Sequence, residues 1–179
     1  PPQLALVIAG FAVVLMMSAA SVWLIRQSQA ANERLAQALT VTNLLSRLHA
    51  DLRRVESGQR GFLLTGKAAY LNDYNATRGR LLPELDQLIA LAGVDSDAKA
   101  RAGTLRALIE DKLDELSKTI DLELTGRHQD ALAVVATDRG LALMQEFSDQ
   151  IADIARRQNA IIGDQRRAAD TTDLALFVV

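Results

Sequence analysis

The stretch Val55–Gly66, "VESGQRGFLLTG", decides how the rest of the chain is read. Three glycines and a Glu-Ser-Gly-Gln-Arg set interrupt a run that is otherwise amphipathic and helical. Glycine inside a helix costs about 1 kcal/mol relative to alanine, and polar groups on an apolar stripe cost more unless each finds a partner. Ala38, Thr42, Leu45, His49, Leu52, Glu56, Gln59 and Leu63 recur at alternating spacings of four and three, which is one face of a helix. Glu56 and Gln59 therefore continue an inward-facing stripe. Glu56 precedes Arg60 by four, the favourable order for an intrahelical ion pair. Gly58 and Gly61 leave the adjacent surface bare, which lets another helix approach closely. Gly66 permits the left-handed backbone that ends a helix. Three readings of Glu56, Gln59 and Arg60 stay open: a buried structural cluster, a ligand site, and a solvated surface.

Working outward, the apolar spacing stays helical and no convincing strand alternation occurs. Tyr70, Tyr74, Leu81, Leu85 and Leu88 predict a second helix over about Lys67 to Ala92, kinked at Pro83. Gly93 suits its stop, and Asp95 or Ser96 suits the cap of the next helix. Leu105, Ile109, Leu113, Leu116, Ile120 and Leu124 predict a third helix over about Asp97 to Leu124, and Leu132, Leu143, Phe147, Ile151, Ile154 and Ile161 a fourth. The second and third helices have nearly equal length and short connections. The expected fold is all-α: an antiparallel up-down-up-down four-helix bundle whose first and fourth helices are elongated. Beyond Leu39 and Ala155, "RQSQAANERLAQA" and "RRQNAIIGDQRRAADTT" are poor in large apolar residues. A two-helix stalk of that composition buries little surface alone, so a second subunit alongside it, in a parallel homodimer, is expected.

From Leu4 to Ile25, "LALVIAGFAVVLMMSAASVWLI" runs without a charge. At the helical rise it spans roughly 33 Å, enough for a bilayer core. Trp23 stands where an interfacial aromatic belongs, and Arg26 follows. A cleaved signal peptide is the alternative; the length of the run and the lack of a small-x-small site after Ser21 count against it. The terminal "LALFVV" of residues 174–179 resembles the first turns of a second span, the alternative being an ordinary apolar helix or strand end. The expected organisation is thus a transmembrane helix at 4–25, an extracytoplasmic sensor domain at 26–173, and the start of a second transmembrane helix at 174–179. Both terminal bundle helices continue into spans.

Charge and composition exclude several functions. Twenty Lys plus Arg against 22 Asp plus Glu, with no basic stripe, argue against nucleic-acid binding. The absence of cysteine removes thiol catalysis and disulfides. His49 and His128 lack a second histidine at helical spacing, so no metal site is expected. His49 reads as a core imidazole and His128 as an exposed helix start. Asp111, Asp114 and Glu115 read as a solvated face. No phosphate loop or nucleophile motif occurs, so neither a catalytic residue nor a cofactor is expected. Tyr70 and Tyr74, one turn apart, suit either core packing or the lining of a small-molecule pocket. Asp121 or Asp130 is expected to join Glu56 and Gln59 around the Arg60 guanidinium.

"VESGQRGFLLTGKAAYLNDY" resembles the signature of the third type of CHASE domain, found outside the cytoplasm in bacterial histidine kinases, diguanylate cyclases and related receptors. Glu56, Ser57, Gly58, Gln59, Arg60, Gly61, Phe62, Leu63, Leu64, Thr65, Gly66, Tyr70, Leu71 and Tyr74 match its pattern. A looser likeness continues through "LIEDKLDELSKTIDLELTGRHQDALAVV" to "RRQNAIIGDQRR". Where the family often carries a glutamate before its last apolar turn, this chain has Gln158 and Asn159. The resemblance implies a four-helix bundle bracketed by two spans, on the periplasmic side of the bacterial inner membrane. It implies a sensory input segment feeding a cytoplasmic output domain, most often a histidine kinase, and answering an unspecified small-molecule or protein signal. A chemoreceptor ligand-binding domain and a ligand-free membrane-anchored oligomerisation stalk are the competing readings.

Overall fold

The computed structural model describes the backbone of residues 2–92 and 96–176, and the side chains among them except at 2, 4–9, 92, 161, 164–166 and 168–176. The expected helix stop at Gly93, the cap at Asp95 and the final residues 177–179 lie outside the described residues, as do the side chains of 174–176. Among the described residues the chain is entirely helical: α1 (Pro2–Thr65), α2 (Ala69–Ala92), α3 (Ser96–Leu124), α4 (His128–Val135) and α5 (Arg139–Leu176). Two compact units divide it, one of residues 1–38 with 161–179 and one of residues 39–160.

In the first unit, α1 carries a segment long and apolar enough to cross a membrane. Every side chain from Gly10 to Ile25 is exposed, Phe11 at 69% and Trp23 at 66%, which is not the pattern of a core helix in a soluble protein. The hydroxyls of Ser18 and Ser21 donate back to the carbonyls of Val14 (2.9 Å) and Met17 (2.8 Å), so each satisfies itself within the helix.

The second unit is built around one apolar cluster. Leu45, Leu48, Leu52 and Val55 of α1 meet Leu81 and Leu85 of α2, Leu105, Ile109 and Leu116 of α3, and Phe147 and Ile151 of α5. The stripe from Ala38 to Leu63 faces inward as its spacing requires, with Thr42, His49 and Glu56 half-buried and the others buried. Arg54–Asp73 (3.7 Å) and Arg80–Asp51 (3.1 Å) join α1 to α2, rising numbers on one matching falling numbers on the other. Gln59–Thr119 (2.7 Å) and Glu56–Lys112 (3.1 Å) join α1 to α3 with numbers rising together. α2 continues as helix through Pro83.

Two glycines end helices as the sequence requires. Gly66 has φ 67° and its N–H donates to the Phe62 carbonyl at 2.8 Å, the single-bond αL stop. Gly126 has φ 77°; its N–H donates to Glu123 O (3.0 Å) and that of Arg127 to Leu122 O (2.8 Å), the paired bonds of a Schellman motif. The expected single fourth helix is instead two. α4 stops at Val135, and Asp138 turns the chain at φ 56° before α5 begins. Aspartate is one of the few side chains that tolerate this left-handed conformation. The Thr137 hydroxyl accepts from Arg139 N–H at 3.4 Å, satisfying a donor at the new helix start. Leu132, expected in the core, is 40% exposed on α4, and Leu124 is 62% exposed.

Candidate ligand groove and its buried charge cluster

The glycines of the opening stretch bring α1 and α2 together. A Cβ on Gly58 would lie 3.0 Å from the Tyr70 carbonyl and 3.2 Å from Tyr74 Cβ, and one on Gly61 would lie 2.4 Å from the Tyr70 ring. The start of α2 thus crosses directly over bare backbone. Beside this crossing, within the second unit, an open groove of about 1160 Å³ runs between α1, α2 and α5. His49, Arg53, Arg54, Glu56 and Arg60 form its α1 wall, Tyr70 and Asp73 its α2 edge, and Leu141, Met144, Gln145, Ser148 and Asp149 its α5 wall.

Of the residues flagged from sequence, Glu56, Arg60 and Tyr70 share this groove. Gln59 and Tyr74 are buried away from it. Gln59 donates to Thr119 Oγ1 at 2.7 Å, and that hydroxyl donates in turn to Leu116 O at 2.8 Å, so one oxygen both accepts and donates. Tyr74 is 3% exposed, and its hydroxyl has no hydrogen-bond partner among the described residues. Burial pushes the phenol pKa up. Tyr70, expected on the inward stripe, is 42% exposed along the groove edge.

Arg60 is not the buried cation expected of it. Its side chain is 65% exposed and meets Glu56 at 3.1 Å, with neither Asp121 nor Asp130. Asp130 pairs with Arg127 at 2.6 Å. The reason is position: four residues past Glu56, Arg60 stands at the rim while Glu56 points in. The buried cation is Lys112 on α3, 3% exposed. Its ammonium lies 3.1 Å from Glu56 Oε1 and 2.8 Å from Glu115 Oε2, and it donates to the Gly140 carbonyl at 3.2 Å. Glu115 is 8% exposed, so it leaves the solvated face expected of it. A Cβ on Gly140 would meet Lys112 Nζ at 2.6 Å and the Glu115 carboxylate at 2.8 and 2.9 Å. An added Cβ would displace the charged ends of both side chains, so a bare backbone suits the first turn of α5 against this pair. Glu56 therefore links the groove, through Arg60, to a buried cluster that ties α1, α3 and the start of α5 together.

His49 stands on the groove wall, half-buried, 3.3 Å from the Ser148 hydroxyl and edge-on to Phe147 with ring centroids 6.2 Å apart. Burial, then the neighbouring Arg53 charge, hold its imidazole below the usual histidine range. Among the described residues no group of His, Asp and Glu is arranged to hold a metal ion.

The glycine crossing, the αL stop at Gly66 and the Glu56–Arg60 pair are the structural content of the opening motif, and the CHASE3 domain family matches residues 31–168. The chain belongs to the CHASE3 family. The crystal structure of the sensor domain of the Rhodopseudomonas palustris histidine kinase HK9 is similar, with a TM-score of 0.64 and 25% sequence identity, over 69% of this chain and 97% of that one. Among curated proteins none matches the sequence. The CHASE3 match takes in the whole groove and the Lys112 cluster, so both lie in the part of the chain that makes it a sensory domain.

Proposed function

We propose that this CHASE3 domain is the extracytoplasmic input segment of a membrane-bound bacterial receptor of the histidine kinase type, set in the inner membrane. The observation that carries the reading is the continuity of α1: one helix, Pro2–Thr65, holds both an exposed apolar segment of membrane-spanning length and the groove wall from His49 to Arg60. The likeness to a histidine kinase sensor domain supports the kind of receptor. Residues 39–160 act as an up-down-up-down four-helix bundle of α1, α2, α3 and α5, with α4 as an excursion between the last two. α1 and α5 continue into two membrane spans, and a stimulus moves one against the other, because a packed bundle switches between discrete arrangements. The working unit is a parallel homodimer. The segment itself is a sensor and the chemistry of signalling belongs to the output domain.

The chain has no cysteine, so a single introduced thiol reports its side of the membrane. Leu64→Cys places one at a position that is 83% exposed. In intact cells with a permeabilised outer membrane, a membrane-impermeant maleimide should label it fully. Labelling only after lysis of the inner membrane would place the domain in the cytoplasm and overturn the reading.

A further inference from the structure

The groove has an uneven charge distribution once its internal pairs are counted. Arg60 is matched by Glu56 at 3.1 Å and Arg54 by Asp73 at 3.7 Å. Arg53 and Asp149 also line the groove, on α1 and α5, and neither makes an ion pair among the described residues. They stand close along it. His49, one turn before Arg53 on α1, contacts Ser148, the neighbour of Asp149. Arg53 and Asp149 thus flank the His49–Ser148 contact on facing walls of the groove. The same lining holds neutral hydrogen-bonding groups, Gln145 and Ser148, and the apolar side chains of Leu141 (54% exposed) and Met144.

We propose that the groove binds a small zwitterion of the free amino-acid class, its carboxylate on Arg53, its ammonium on Asp149 and its apolar side chain against Leu141 and Met144. The planar guanidinium fork suits a carboxylate, which it engages through two parallel hydrogen bonds. An anion alone would leave Asp149 facing its carboxylate, and a cation alone would leave Arg53 unmatched; a zwitterion satisfies both. The groove volume exceeds what one amino acid needs, leaving room for water on the polar side. The proposal rests on the sensory reading, since it names what that sensor would detect.

The two histidines make a direct probe. With ¹³C-labelled imidazoles, the chain in detergent micelles gives one ring signal from His49 in the groove and one from His128 at the start of α4. L-leucine, L-methionine and L-phenylalanine are titrated singly, with 4-methylpentanoate and 3-methylbutylamine as ligands that lack one charge. At least one amino acid should shift the His49 signal saturably and leave His128 in place. The single-charge analogues, and Arg53→Gln or Asp149→Asn with the amino acid, should each bind at least about tenfold more weakly. Silence from all three amino acids, equal binding of either analogue, or full binding by both variants would overturn the proposal. None of those results touches the extracytoplasmic assignment, which the maleimide experiment decides separately.

Discussion

Lys112 Nζ lies 3.1 Å from Glu56 Oε1, a buried ammonium on α3 held by a carboxylate on the groove wall of α1. The same ammonium holds Glu115 at 2.8 Å, so a single cation keeps two carboxylates with little access to water. Removing one member of such a set strands the others, which costs more than replacing the set. Lys112→Met should therefore lower stability by about 3–5 kcal/mol in urea unfolding. Adding Glu115→Gln should return a large part, giving a coupling on the order of 1–3 kcal/mol. Additive effects would show that the pair is not energetically joined.

The glycines divide by surroundings. Gly103 on α3 has nothing within 4 Å of an added Cβ, so Gly103→Ala should stabilise by about 0.4–1 kcal/mol through the unfolded chain. Gly140→Ala drives a methyl to 2.6 Å from Lys112 Nζ and should destabilise, by about 1–3 kcal/mol. The opposite signs of two identical substitutions, read from paired melting curves, are the check.

Tyr74 buries a hydroxyl with no partner among the described residues. An unpaired buried polar group carries its desolvation cost without return, so Tyr74→Phe should stabilise by about 1 kcal/mol. A loss of stability on that change would mean that the hydroxyl is hydrogen-bonded in solution.

The sign of the His49 effect on stability follows from its lowered pKa. The folded state binds the proton less readily than the unfolded chain, whose histidine titrates near 6.5. Below that value the unfolded state takes up more protons, so stability is complete above it and falls as pH drops through it. Between about pH 7.5 and pH 5.5, His49→Gln in a His128→Gln background should flatten the stability profile. An unchanged slope would assign the dependence to other groups.

Much of this was legible in the sequence for a physical reason: burial requires periodicity. The face from Ala38 to Leu63, the stop at Gly66 and the close approach at Gly58 and Gly61 follow from spacing and from the absence of a Cβ. The α4–α5 break was harder, because Asp138 takes the left-handed turn where no glycine or proline marks it. One trace is present: after Leu132 and Val135 the apolar stripe meets Asp138, Arg139 and Gly140 before it resumes at Leu143. The sequence points to Arg60 as the buried cation because an i, i+4 pair names its partner locally. Lys112 has Glu115 three residues on along α3, but its second acid, Glu56, stands on α1, where no local spacing points to it. Its nearest clue is Gly140, whose missing Cβ matters only once α3 lies beneath it.

On the proposed mechanism α1 moves relative to α5 when the receptor switches, and His49 and Ser148 mark a contact between the two helices, at 3.3 Å. His49→Cys with Ser148→Cys, in the cysteine-free chain placed before a histidine kinase core, allows the same molecules to be measured reduced and crosslinked in membrane vesicles. Crosslinking should lock autophosphorylation at one level, insensitive to stimulus, and reduction should restore the response. Equal, stimulus-responsive autophosphorylation in the crosslinked and reduced states would contradict that mechanism.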